Sequence, residues 1–204
     1  NGSINQDHSA ELIYQITEDS FYSNYDSSAD PVFSNNYYEI PPETERVTIN
    51  IYSDWTDRFS TRIRFSDRFF EQDANSGDGG YGGLFPEFHI YEGGEIIYVG
   101  SDRYRGHNLI EVDQQLMSIK GNLDLDNHYI TFGYETDSSS VYNSFINRYT
   151  GEINFASLAD FYAGNHNMVY TFAVSTDAGG PYSLVRDDPA LPAARFDIDE
   201  TIMY

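Results

Sequence analysis

Cysteine is absent from this chain of 204 residues. No disulfide framework, thiolate nucleophile or cysteine zinc site can exist in it. Lysine is nearly absent too: Lys120 is the only one, and acidic residues number 33 against 11 basic ones, for a formal net charge of −22. A surface of that sign repels phosphate, so no nucleic acid is expected as a partner, and anionic membrane surfaces are disfavoured. The acidity suits a medium in which cations screen or bind the protein, or it is the ordinary acidity of a secreted protein. No apolar run approaches the roughly 20 residues of a membrane helix, and no membrane insertion is expected.

Catalytic signatures are missing as well. His8, His89, His107, His128 and His166 are scattered, with no HExxH spacing. There is no GxSxG, P-loop or dinucleotide fingerprint. The chain is not expected to be an enzyme. Asn1 is not methionine, which leads to the expectation of a mature product after signal-peptide removal, or of a trimmed chain. Asn1-Gly2-Ser3 forms the only N-glycosylation sequon.

What is present is apolar and aromatic enough to fold: 40% of residues are hydrophobic and 16% aromatic, unlike a disordered chain. Alternation with period two dominates. In 45–53, Val47, Ile49 and Ile51 oppose Arg46, Thr48 and Asn50; in 57–66, Phe59, Thr61, Ile63 and Phe65 oppose Arg58, Ser60, Arg62 and Arg64. Such alternation predicts half-buried antiparallel strands, and 128–135, 168–174 and 195–204 repeat it. Gly93-Gly94 predicts a hairpin within 88–99, Thr150-Gly151 another within 145–156, and Asp126-Asn127 a turn within 123–132. Ser157 is the predicted N-cap of a short helix over 157–162.

About ten strands and almost no helix predict an all-β, antiparallel β-sandwich of jelly-roll type, with a barrel as the second option. Residues 1–31 read as an N-terminal strand (10–17) on a polar tether, and 32–204 as the sandwich. The tether could reach roughly 45 Å, so the strand is free to pair elsewhere in its own domain or on a neighbour.

Three clusters carry candidate chemistry. Asp73, Asn75 and Asp78 bring hard oxygens into a glycine-rich stretch, which makes calcium the candidate cofactor; a strand-connecting loop is the plainer reading. The pairs Asp124/Asp126 and Asp197/Asp199 are cation candidates or a solvated strand face, as are Asp187, Asp188 and Glu200. Arg58, Arg62, Arg64 and Arg68 concentrate positive charge on an acidic chain. They either neutralise acids within the molecule or dock an acidic face of the next copy.

The resulting expectation is a secreted structural subunit that polymerises into an extracellular filament, sheath or surface layer. Leu12, Tyr14 and Ile16 would be donated to a neighbour's sheet, with cations screening the acidic interfaces. The alternative is a calcium-dependent, lectin-like carbohydrate-binding module presenting tyrosines to a glycan.

Overall fold

The structure, a computed structural model, describes residues 2–23, 30–76, 85–170, 173–175, 182–184 and 193–204. It is nearly all β, with one short α-helix. Six long strands build the large sheet: β2 (His8–Glu18), β5 (Pro42–Thr56), β6 (Phe59–Ser76), β9 (Asn108–Leu125), β10 (His128–Phe145) and β15 (Ala194–Met203). They lie in the order β2-β5-β6-β9-β10-β15, every neighbour antiparallel. Short strands β1 (Gly2–Ser3), β3 (Phe21–Ser23) and β4 (Tyr38–Ile40) attach at its margins.

The antiparallel β architecture is therefore as the sequence predicts. The strand order is a meander, not the expected jelly-roll order. Two-residue turns at 57–58 and 126–127 leave the flanking strands no choice but to pair with each other. In the first turn the Thr56 hydroxyl oxygen accepts from the Arg58 and Phe59 amides (3.2 and 3.0 Å). In the second, Asp126 takes φ 51°, which aspartate tolerates better than most residues. Arg58 and Asp126 pair at 2.7 Å, joining the two turns at one end of the sheet. The connections at the opposite end are long: 19–41, 77–107 and 146–193.

Those long connections build a second sheet, in the order β12-β11-β7-β8. Its members are β7 (Glu87–Glu92), β8 (Glu95–Val99), β11 (Glu152–Phe155) and β12 (His166–Tyr170). The Gly93-Gly94 hairpin joins β7 to β8, at φ 62° and 94°. The second predicted hairpin is replaced by a different pairing. Residues 146–150 form turns, and β11 lies parallel to β7 and antiparallel to β12. Helix α1 (Leu158–Ala163) starts at Ser157, whose hydroxyl oxygen accepts from the Asp160 amide at 3.0 Å. The helix brings Phe161 against Phe88 and Phe155, with ring centroids 5.7 and 5.2 Å away. Residues 173–175 and 182–184 form a separate two-stranded ribbon, β13–β14.

The predicted tethered strand is β2, and it runs along β5 of its own chain from His8↔Ser53 to Glu18↔Glu43. Donation to another copy is not what this pairing shows. Ala10, Leu12 and Tyr14 meet Ile51, Ile49 and Val47 in register, so the strand finds its hydrogen bonds close by. Asn1 and Asp78 lie outside the described residues, as do Asp187 and Asp188.

Candidate functional site

Paired residues in a sheet share a face, so the register sorts the large sheet into two sides. On one side lie Ala10, Leu12, Tyr14 and Ile16 of β2, then Val47, Ile49 and Ile51 of β5. Phe59, Ile63 and Phe65 of β6 follow, with Met117, Ile119 and Leu123 of β9. Ile130, Phe132 and Tyr134 of β10 and Met203 of β15 complete the band. Ser53, Thr61 and Gly121 interrupt it, and Gly121 gives its space to the Phe132 ring, which a Cβ there would strike. Within these limits the band contains no Asp, Glu, Lys or Arg. Its large side chains are nevertheless open: Ile49 and Phe65 are 41% exposed and Met117 45%.

On the other side the middle of β5 and β6 is polar and covered, whereas on β15 that side carries the exposed Phe196, Ile198 and Ile202. Thr48, Asn50 and Ser66 are only 3%, 2% and 6% exposed. In β9 and β10 the residues of this side, such as Gln114, Ser118, Glu135 and Asp137, are half-buried, while their neighbours on the apolar side are mostly exposed. Hydrogen bonds run across the polar side from strand to strand. Asn50 Nδ2 donates to Glu11 Oε2 and Arg62 Nη2 to Asn50 Oδ1, both at 3.1 Å. Thr48 and Ser66 hydroxyls meet at 2.9 Å. Arg68 Nη1 donates to Gln114 Oε1 (3.4 Å), and Gln114 Nε2 to Asp137 Oδ2 (2.8 Å).

The arginines singled out by sequence thus separate. Arg58 belongs to a turn, bound to Asp126. Arg62, Arg64 and Arg68 point to the polar side from β6, with Arg62 over the Tyr52 ring and Arg68 over Phe70 (5.2 and 5.7 Å). Leu12, Tyr14 and Ile16 lie on the apolar side. Asp73 and Asn75 fall within β6, Asp73 opposite Leu109 and Asn75 opposite Glu39.

A second polar centre, not found by sequence reasoning, lies in the smaller sheet. Glu87 and His89 share a face of β7, and parallel pairing sets Glu152 of β11 beside Glu87. All three are buried, and each offers a ligand atom within 4.8 Å of the others. His89 Nδ1 is 3.5 Å from Glu152 Oε1, and Nε2 is 3.3 Å from Glu87 Oε2. One imidazole and two carboxylates suit a transition ion better than calcium. Protein donors, however, already reach every carboxylate oxygen. Arg148 Nε (2.7 Å) and Arg103 Nη1 (3.5 Å) meet Glu152 Oε2, and Asn154 Nδ2 meets Oε1 (3.2 Å). Asn36 Nδ2 and the Arg103 amide each bind Glu87 at 3.1 Å. The network ties the segments around residues 36, 87, 103, 148 and 152 into one unit.

Its electrostatics follow from burial and these partners. Burial pushes Asp102 up from 3.8 to about 6, helped by the charge of Glu87 and opposed by the Tyr104 and Arg105 amides. For Glu152 burial acts upward, but the Arg148 hydrogen bond, His89 and Asn154 outweigh it and hold the carboxyl low. The sequence signal for this centre was Glu-Phe-His, two polar groups on one strand face; Glu152 could not be joined to it without the parallel pairing.

Compared with known protein families, curated proteins and solved structures, the chain matches none.

Proposed function

We propose that this chain forms part of the wall of a transmembrane β-barrel that passes polar solutes across an outer-membrane-type bilayer. One observation carries the reading: a charge-free apolar band on one side of the large sheet is exposed, while the polar residues behind it on β5 and β6, Thr48, Asn50 and Ser66, are covered. In water that arrangement is inside out. In lipid it is the arrangement required, because barrel strands turn apolar residues to the acyl chains and polar ones to the lumen.

The outline of the band adds a quantitative point. Its upper limit falls at Ile16 on β2, Val47 on β5, Phe65 on β6, Met117 on β9, Tyr134 on β10 and Met203 on β15. By register, the limit at β2 stands three side-chain rows above that at β15. Three rows are about 20 Å along the strands, and five inter-strand steps are about 24 Å, which gives a slant of about 40°. A flat bilayer surface cutting strands tilted by 35–45° leaves that slant. Outward residues from Phe59 to Phe65 span about 20 Å of strand, which at that tilt is about 15 Å of height, a short band beside the roughly 25 Å of such barrels. Tight turns at one end and long connections at the other also fit the type.

Among the described residues no helix is long and apolar enough to cross a membrane; here the strands would do so. Six strands do not close a barrel, whose smallest forms have eight; among the described residues β15 is an edge and β2 is paired on its outer side only by the short β1, so closure needs further strands. The reading departs from the filament and lectin expectations, and from the expectation of no membrane insertion. A water-soluble subunit of either kind needs a second layer over the apolar side.

The test is refolding by dilution from urea with and without phospholipid vesicles, followed by flotation and protease digestion. Vesicle-borne, strand-rich protein that resists digestion is the expected result. A soluble monomer indifferent to lipid, or a soluble dimer that hides the apolar side, would overturn the reading.

A further inference from the structure

The central part of the polar side has the wrong sign for this chain. On β5, β6 and β9 its residues between 44–52, 62–72 and 110–120 include Arg46, Arg62, Arg64, Arg68 and Lys120, five of the chain's 11 basic residues, and no acid. The register sets like charges directly opposite each other twice: Arg46 faces Arg68, and Arg62 faces Lys120. Directly opposed like charges are destabilising unless something compensates them. Among the described residues none of the five is in ion-pair contact with a carboxylate. By register Glu135 stands diagonal to Lys120, and two further acids stand one amide away. Asn50 bridges Arg62 to Glu11, and Gln114 bridges Arg68 to Asp137. The Nε groups of Arg64 and Arg68 are buried and have no acceptor.

The geometry points to an oxyanion site on the inner wall, formed by Arg62, Arg64 and Lys120, with Arg46 and Arg68 as a second station about 14 Å beyond Arg64 along the strand. Its ligand is a small solute bearing phosphate or carboxylate groups. Arginine's planar fork suits such groups, and an anion there relieves both opposed pairs. Placing the strip in a lumen rests on the barrel reading; the missing counter-charge does not.

Inorganic pyrophosphate is the probe, titrated calorimetrically into the full chain folded in detergent micelles. Submillimolar binding that weakens with salt is expected. Arg64→Gln should weaken it at least tenfold, and so should Lys120→Gln, whose exposed side chain makes loss of folding no concern. Arg58→Gln, in the turn, should leave it unchanged. No binding, or equal binding by all variants, overturns the inference. So does binding of a polyglutamate peptide by protein that ignores pyrophosphate, which would assign the strip to an acidic polypeptide segment. Flotation of the same preparations separates the two readings. Protein that inserts into vesicles but ignores pyrophosphate sinks the oxyanion site alone. Protein that binds pyrophosphate without inserting sinks the barrel and keeps the site.

Discussion

Ile63→Arg tests the proposed lipid-facing side most directly. Ile63 lies in the row Ala10, Ile51, Ile63, Ile119, Tyr134, Met203, so its cross-strand neighbours carry no charge. Along β6 the next outward charge is Asp67, four residues or about 14 Å away, beyond the reach of a guanidinium. An arginine here must snorkel, thin the bilayer, or admit water. Near the middle of a barrel's apolar band it costs about 2–4 kcal/mol. The lower half of that range applies, because the band is short: about 2–3 kcal/mol, or a 30- to 150-fold shift in the folding equilibrium. In water the same change, at a side chain already 37% exposed, would stay within about 0.5 kcal/mol. The assay is urea unfolding from vesicles, followed by the fluorescence of Trp55, the only tryptophan. Glu45→Arg, outward but beyond the band, is the control and should cost about 0–1 kcal/mol. Equal effects of the two variants, or an Ile63→Arg effect below about 0.5 kcal/mol, would refute the reasoning.

Asn50→Ala removes the amide between Arg62 and Glu11 and leaves both partners unpaired on the covered side; unfolding should show a loss of about 1–3 kcal/mol. A loss under about 0.5 kcal/mol would show that water replaces the amide freely. Glu152→Ala should cost about 2–3 kcal/mol, below the full value for a broken buried pair because Arg103 and Arg148 can turn to water. Hydrogen exchange should confine the loss to the smaller sheet, and faster exchange throughout β9 and β10 would contradict the division. Asp102 binds its proton more tightly when folded, so its stabilising contribution is full below about pH 4 and is lost as pH rises through about 6. Asp102→Asn should therefore match the wild type near pH 4 and exceed it at pH 7, by on the order of 3 kcal/mol in local exchange at the Tyr104 and Arg105 amides. Identical pH profiles would remove Asp102 as the cause.

The strands themselves were legible in the sequence. Alternation in 10–17, 45–53, 57–66, 128–135 and 195–204 marked five of the six long strands and showed which residues share a side. Asp126-Asn127 and Ser157 marked a turn and a helix start, since those depend on local backbone chemistry. Alternation does not say which side faces water: Ile49 and Asn50 give the same pattern in a soluble sandwich and in a barrel wall. Averaging over alternating polar and apolar residues would also hide a membrane strand from any search for apolar runs, so the absence of such runs bears on helices alone. Only the tertiary structure shows Asn50 covered and Ile49 open. Register sets Arg62 against Lys120 and Glu152 beside Glu87. Those pairings join segments tens of residues apart, and no local preference encodes them.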